Sequence, residues 1–322
     1  MRPYTKGLDM ASHLNQPHFQ NPEKAREYLE RVQWPNGPVC PHCGVVGDHY
    51  QIAAKTENGA RPGLWKCKDC REQFTVTVGT VFERSKIALN VWLQAVHFLC
   101  SSKKGMSAHQ LHRTLGVQYK TAWFMAHRIR KAMETRNMEP MGGSGKIVEA
   151  DETYWGTNAV GKRNRKVGRK ITGGAEKMKI VSLIERDGKA RSFHVRNVNA
   201  KTLGPLLRGQ IAPETHLMTD EARAYINIGK EFKKHSSVKH WVKEYVRGIA
   251  HVNTAESFFN ILKRGLIGTY HHVGEQHLQR YVSEFDFRYN NRTKLGVTDE
   301  QRTDNALKGI AGKRLTYRRI NA

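Results

Sequence analysis

The segment Ile147–Trp155, which reads IVEADETYW, decides how the rest of the chain is interpreted. Its apolar start predicts a buried strand over Ile147–Asp151, with Asp151 near the end of that strand. A second predicted strand, Thr215–Thr219, is followed directly by Asp220. Because side chains at the ends of neighbouring strands can converge on one point, we expect these two carboxylates to share a site.

A third carboxylate, Glu256, completes the candidate site. It lies in a predicted helix, Thr254–Arg264, for which Asn253 or Thr254 is the expected N-terminal cap. Mg²⁺ and Mn²⁺ prefer oxygen ligands, and two such ions about 3.5–4 Å apart can stabilise an in-line phosphoryl transfer. The three carboxylates therefore predict a two-metal site. Other acidic residues compete for these roles: Glu149, Glu152, Glu221, Glu244 and Glu284.

Basic and polar residues near these carboxylates are candidates for contact with phosphate. Asn260 and Lys263 follow Glu256 by four and seven positions, which places all three on one helix face. A glycine-rich stretch between Trp155 and Lys179 is interpreted either as a flexible solvated loop or as an arm that follows the phosphate backbone. Its candidate contacts are Lys162, Arg163, Arg165 and Lys166.

The charge of the chain points to a polyanionic partner. Its 322 residues include 54 Lys and Arg against 29 Asp and Glu, a formal net charge of +25. Such a surplus strains a compact fold by self-repulsion, so nucleic acid is the favoured partner and an anionic membrane surface the weaker one. No apolar run approaches the ~20 residues of a membrane span, and the first residues do not resemble a signal peptide, which predicts a cytosolic protein.

Four of the five cysteines form two C-x2-C pairs, Cys40/Cys43 and Cys67/Cys70, with 23 residues between the pairs. Four thiolates complete a closed tetrahedral shell, which predicts one structural Zn²⁺ and no catalytic position on it. His42 or His49 could replace one cysteine. Four unlinked thiols and a redox C-x-x-C pair are the alternatives that the paired spacing disfavours.

A helix-turn-helix pattern precedes the carboxylates. A short helix ending at Leu115 is followed by Gly116 and by a longer helix, Tyr119–Met133. Lys120 and Arg128 on the second helix are candidate DNA contacts. An ordinary helical hairpin with a solvated charged face remains the alternative.

These patterns divide the chain into consecutive regions. The predicted regions are an N-terminal arm with a short helix (1–37), a zinc ribbon (38–84), a helical DNA-binding region (85–138), a linker (139–145), a mixed α/β catalytic domain (146–295) and a basic C-terminal tail (296–322). Within the α/β region, strands are expected at Lys179–Glu185, Ala190–Val195 and Val238–Trp241.

Several motifs together resemble a known family over roughly residues 20–295. The two cysteine pairs, Glu149–Tyr154, Thr219–Glu221 and His251–Phe259 are similar to motifs of the zinc-ribbon DDE transposases of bacterial insertion sequences, the fifteen-ninety-five insertion-sequence family. The resemblance implies an RNase H-like mixed sheet with flanking helices over residues 146–290. It also implies that Asp151, Asp220 and Glu256 are the catalytic metal ligands.

The same resemblance implies a reaction and its partners. Metal-dependent cleavage would free 3′-OH groups at the ends of the element, and these would attack double-stranded target DNA. The ribbon and the helical region would recognise the terminal inverted repeats, and paired ends imply at least a dimer in the bacterial nucleoid. A non-catalytic zinc-ribbon regulator and an RNase H-like nuclease without strand transfer are the alternative functions.

Overall fold

The computed structural model describes residues 13–53, 62–135, 138–167, 174–238 and 246–316. These residues form two compact units. The first unit takes its described residues from Met1–Ser101, Ala108–Ala132 and Asp299–Ala322, and the second from Ser102–Ser107 and Met133–Thr298. The chain therefore leaves the first unit near residue 133 and returns to it at residue 299.

The first unit is mainly helical. Its N-terminal helices begin where proline and a capping side chain favour them: Pro22 opens α2, and the side chain of Asn21 accepts hydrogen bonds from the Glu23 and Lys24 amides at 2.8 and 3.1 Å. The helices of this unit are α1 (Pro17–Gln20), α2 (Pro22–Gln33), α3 (Leu89–Ser101), α4 (Ala108–Leu115), α5 (Tyr119–Met133, whose last residue belongs to the second unit) and α11 (Asp299–Lys308).

A small antiparallel sheet lies between α2 and α3 in the sequence. Its strands are β1 (His49–Gln51), β2 (Trp65–Cys67) and β3 (Gln73–Phe74), in the order β1-β2-β3. Phe74 packs with Cys40, Cys67 and two tryptophans in a core of its own. The third strand ends at Phe74, because the residues after it turn instead of pairing.

The described part of the predicted basic tail contains a helix, Asp299–Lys308, that belongs to the first unit. Helix α11 packs against α3 and α2 in the first unit. The Thr303 hydroxyl lies 3.1 Å from His97 Nδ1, and Arg302 donates to the Cys100 carbonyl at 3.1 Å. Both Arg302 and Thr303 are buried, so a polar-looking sequence forms part of this core.

The second unit is built on a five-stranded mixed sheet with the order β6-β5-β4-β7-β8. The pairs β4–β5 and β5–β6 are antiparallel, whereas β4–β7 and β7–β8 are parallel. This is the RNase H-like arrangement that the resemblance implied. The strands are β4 (Ile147–Trp155), β5 (Met178–Glu185), β6 (Ala190–Val195), β7 (His216–Thr219) and β8 (Lys234–Ser237).

Helices cover both faces of this sheet. One face packs against α9 and α10 through residues such as Ile180 and Phe258, and the other face carries Val148 and Ala150 among residues of α7 and α8. Because side chains alternate along a strand, Glu149 and Asp151 point to the α9 side. The helices are α6 (Ala159–Lys166), α7 (Ala200–Gln210), α8 (Arg223–Gly229), α9 (Asn253–Gly265) and α10 (Glu275–Asn290).

Two elements differ from the prediction. The last strand in the described part is Lys234–Ser237, which was not predicted because a polar edge strand lacks the apolar pattern that marks a strand in the sequence. Val238 of the predicted strand Val238–Trp241 follows this strand, and the rest of that prediction lies in residues 239–245, outside the described part. The basic stretch after β4 contains a helix, α6, where a loop or arm was expected. The Asn158 side chain caps that helix by accepting from the Gly161 amide at 2.8 Å.

Candidate functional site

The four predicted cysteine ligands lie together in the ribbon. The sulfurs of Cys40 and Cys70 are 3.6 Å apart, as are those of Cys43 and Cys67, and all four sulfurs lie within 4.8 Å of one another. A tetrahedral zinc site with bonds of about 2.3 Å separates its sulfurs by about 3.8 Å. The cluster therefore fits a structural Zn²⁺.

Neither histidine is needed to complete this cluster. His49 Nε2 donates to the Val45 carbonyl at 2.9 Å, and this hydrogen bond uses one of its ring nitrogens within the ribbon itself. Burial opposes ionisation of Cys40, but amides of Cys43 and His42 and neighbouring thiols hold the pKa of Cys40 down at about 7. A thiolate is the form that binds zinc, so the local backbone already favours metal binding.

The helix-turn-helix pattern is present at the predicted residues. Helix α4 ends at Leu115, and Gly116 adopts a φ of 66°, which glycine tolerates at the end of a helix. The rings of His109 and Tyr119 stack with centroids 4.2 Å apart and so link the two helices. Lys120 is exposed at the start of α5, as a DNA-contacting residue must be.

Arg128, the other predicted DNA contact on this helix, is buried instead of exposed. Its side chain is only 9% exposed, donates to the Leu315 and Glu83 carbonyls at 3.2 Å each, and stacks on the Phe124 ring. These contacts hold the guanidinium inside the first unit. The helical pattern places Arg128 on the charged face of α5. It carries no information about the distant segments around Glu83 and Leu315 that cover this side chain.

The two strand carboxylates occupy equivalent places on neighbouring strands. In the parallel β4–β7 pair, Glu149 is opposite Met218; Asp151 lies two residues after Glu149 on β4, and Asp220 lies two residues after Met218, directly after the end of β7. Neighbouring strands are about 4.8 Å apart, so this register brings the two residues side by side. Backbone amides orient both side chains: Glu152 N donates to Asp151 at 2.8 Å, and Ala222 N donates to Asp220 at 3.0 Å.

Glu256 lies in the first turn of α9, which packs on β4 and β5. The predicted cap of this helix was incorrect, since neither Asn253 nor Thr254 caps it with its own side chain. The capping group is the carboxylate of Glu149 on β4, which accepts from the Thr254 and Ala255 amides at 2.9 and 3.0 Å. A capping residue from another element leaves no local pattern in the sequence.

Electrostatic repulsion shows which carboxylates lie close to Asp151. The pKa of Asp151 is raised to about 7, mainly by burial and also by repulsion from Glu152, Asp220 and Glu256, while the hydrogen bond from the Glu152 amide lowers it. A carboxylate with such a pKa is destabilised when ionised in the absence of a cation. A bound divalent cation would relieve this repulsion. The crowding of these carboxylates therefore fits a metal-binding site.

Glu152 is an additional carboxylate at this site, one that the sequence offered only as a competitor. Burial raises its pKa, and so does the charge of Asp220. The buried Tyr225 hydroxyl of α8 donates to its carboxylate at 2.8 Å and fixes its direction. In the sequence, the feature that points to Glu152 as part of this site is its position directly after Asp151.

The donor atoms suit Mg²⁺ or Mn²⁺ more than zinc. In the part of the chain that the structure describes, the cysteines alone form a group of three or more ligands within 4.8 Å. The carboxylates are more widely spaced, which suits ions that retain several waters and a bound phosphate. Asp151, Asp220 and Glu256 are therefore the residues that would hold these ions.

The remaining predicted contacts are on the surface. Asn260 and Lys263 are exposed on α9, and Lys162, Arg163 and Lys166 are exposed on α6. The backbone of Arg165 belongs to α6, and its side chain lies outside the described residues. Helix α6 is anchored near the end of β4 by Glu275, which accepts from the Ala159 amide at 2.8 Å.

Comparison with known proteins agrees with both parts of this architecture. Residues 142–290, which include the three carboxylates, match the family described as ISXO2-like transposase domain. Residues 20–73, which include the four cysteines, match the transposase zinc-ribbon domain.

Two relatives carry related names. A Halobacterium salinarum protein, named as an uncharacterized protein in transposable element ISH50, is 28% identical over 84% of this chain and 91% of its own length. An uncharacterized transposase-like protein of Haemophilus influenzae is 27% identical over 32% of this chain and 82% of its own length. The chain therefore carries a segment that matches a transposase zinc-ribbon domain, followed by one that matches an ISXO2-like transposase domain, and these matches support a transposase role.

Proposed function

We propose that this transposase cleaves the ends of an insertion sequence and joins them to target DNA at the site formed by Asp151, Asp220 and Glu256. The observation that carries the proposal is the register of β4 and β7, which sets two carboxylates side by side next to the helix that bears the third. Two bound Mg²⁺ or Mn²⁺ ions would stabilise the charge that develops on the attacking and leaving oxygens.

The protein side chains hold and orient the reacting groups. The three carboxylates supply fixed oxygens on two strands and a helix, so little reorganisation accompanies the reaction. Lys263, two turns after Glu256 on α9, offers a point charge to a DNA phosphate. Water first cleaves the phosphodiester bond and leaves a 3′-OH; that oxygen then attacks a target phosphorus and displaces the 3′-oxygen of the target strand.

The first unit supplies DNA recognition in this proposal. The zinc ribbon and the helix-turn-helix, with Lys120 exposed on its second helix, would bind the terminal inverted repeats. The exposed cations of α6 would follow the backbone of bound DNA. Because two element ends must be joined together, we propose at least a dimer on DNA, within the bacterial nucleoid. Among the described helices, none has the length and apolar composition needed to cross a membrane.

The alternatives make different products. A non-catalytic regulator would bind the element end and never nick it, and a nuclease without strand transfer would nick it and join nothing. A strand-transfer assay therefore decides, with labelled DNA from the ends flanking the gene, a target plasmid and Mg²⁺ or Mn²⁺. The proposal predicts label joined to the plasmid.

Substitutions of the site carboxylates test whether these residues catalyse the joining reaction. Asp151→Asn and Glu256→Gln should abolish joining and leave binding of the end unchanged. Glu214→Gln is the matched control, because this exposed residue precedes β7 at the end of the strand opposite Asp220. Joining by either site variant would remove that residue from the site, and nicked but unjoined ends with the wild type would favour the nuclease.

A further inference from the structure

Glu149 is a fully buried carboxylate that none of the catalytic roles above uses. One of its oxygens accepts from the Thr254 and Ala255 amides at 2.9 and 3.0 Å. The other accepts from the Thr254 hydroxyl at 3.0 Å and from Arg186 Nε at 2.7 Å. Every one of these donors belongs to α9 or to the residue after β5, so Glu149 joins three elements of the second unit.

Arg186 extends this connection into the segment before α9. Its guanidinium donates to the Ile249 and His251 carbonyls at 2.9 and 3.0 Å, besides its bond to Glu149. The backbone that leads into the helix is therefore held by the same pair that holds the first turn of the helix.

We propose that Glu149 is a positioning residue, which fixes the distance between Asp151 and Glu256 by clamping the start of α9 to β4. The proposal rests on the proposed function, since it assumes that these two carboxylates act on the same ions. Glu149 and Asp151 are two residues apart on one face of β4, and Glu256 directly follows the capped residues Thr254 and Ala255.

The chemistry of the clamp explains why a carboxylate is present. The first amides of a helix lack partners within the helix, and a negative group there also interacts favourably with the helix dipole. A buried ion pair is poor evidence for stability, because apolar residues of equal volume often replace it without loss. An apolar pair in place of Glu149 and Arg186 would fill the same volume but would not fix the orientation of α9.

The substitution Glu149→Gln tests this directly. An amide has one acceptor oxygen, so in either orientation its NH2 group faces the helix amides or the guanidinium, both of which are donors. The matched control is Glu284→Gln. Glu284 is equally buried, pairs with Arg288 and accepts from the Tyr270 hydroxyl at 2.6 Å, but its partners are on α10 and the turn after α9.

Two readouts are measured on the full-length protein with bound zinc. In strand transfer with Mg²⁺, Glu149→Gln should lower kcat by about 100-fold with the KM for the DNA end unchanged, the loss expected for a displacement near 1 Å. In hydrogen exchange, the amides of Thr254 and Ala255 should exchange faster. The control should change neither quantity, and Thr254→Val, which removes a single hydroxyl bond, should lower kcat by about tenfold.

Unchanged exchange at the start of α9, or an equal loss of kcat in Glu284→Gln, would overturn the clamp. If Glu149→Gln does not fold, Glu149→Asp takes its place, since the shorter side chain keeps the charge and should draw α9 toward β4 with the same loss of kcat. The exchange measurement needs neither catalytic metal ions nor DNA. If Glu149→Gln exchanges faster at Thr254 and Ala255 but the wild type joins no DNA, the clamp is supported and the proposed function alone is contradicted.

Discussion

Substitution of Asp151 by asparagine should make the metal-free protein more stable while it removes activity. Burial and three neighbouring carboxylates raise the pKa of Asp151 from 3.8 to about 7. A folded-state pKa above the unfolded one means that stability falls as the pH rises from about 4 to 7 and stays low above 7. Asparagine carries no charge, so it avoids that loss, and its oxygen can still accept from the Glu152 amide.

The size of the effect follows from the shift. Three pKa units correspond to about 4 kcal/mol, which is an upper limit because the metal-free site admits water. We expect Asp151→Asn to raise the free energy of unfolding at pH 8 by about 2 kcal/mol, or Tm by about 5 °C for a unit of this size. Near pH 4 the difference should vanish, because aspartic acid is then protonated in the folded wild type.

Urea unfolding in chelator-free buffer without added divalent ions, followed through amide protection in β4, measures this difference while the zinc remains bound. Added Mg²⁺ at about 100 times its dissociation constant should stabilise the wild type by about 2.7 kcal/mol and the variant by none. An asparagine variant that is less stable than the wild type at pH 8, or a difference that does not depend on pH, would refute the argument from charge crowding.

The other predictions concern zinc, DNA contact and the edge of the sheet. Metal analysis should find one zinc per chain, and Cys67→Ser should lose both the zinc and binding of the element end; a folded, reduced wild type without zinc would contradict this. Lys120→Ala should weaken DNA binding and leave stability unchanged, as measured by binding titration and urea unfolding. Arg128→Met should lower the free energy of unfolding by roughly 3 kcal/mol, because two charged hydrogen bonds are lost. Weaker DNA binding with unchanged stability in Arg128→Met would instead support Arg128 as a DNA contact. Asp286, which accepts from the Ser192 amide and hydroxyl at 2.7 and 2.6 Å, should cost about 1–3 kcal/mol when replaced by alanine, and equal urea midpoints would disprove its role at the edge of β6.

The sequence predicted those features that depend on local pattern. The C-x2-C spacing located the zinc ligands, and apolar runs ending in Asp151 and Asp220 located the two central strands. The helix Tyr119–Met133 was also predicted at the residues where the structure has it. In each case the signal lies within a few residues of the feature, so a single sequence is sufficient.

Features that depend on tertiary contact were missed. The edge strand Lys234–Ser237 is polar, and α11 is buried through Arg302 and Thr303, so neither carries an apolar pattern. Arg128 was assigned to the surface because the segments that cover it are distant in sequence. The cap of α9 comes from Glu149, more than a hundred residues earlier, which no helix-capping pattern can reveal.

The central claim is that Asp151, Asp220 and Glu256 hold the ions that drive DNA joining. Anomalous diffraction from crystals of the protein bound to an element end and Mn²⁺ tests it most directly. The account predicts two manganese peaks about 3.5–4 Å apart among these three carboxylates, and the loss of both peaks in Asp151→Asn. Manganese bound elsewhere, or peaks at this site that Asp151→Asn leaves unchanged, would contradict it.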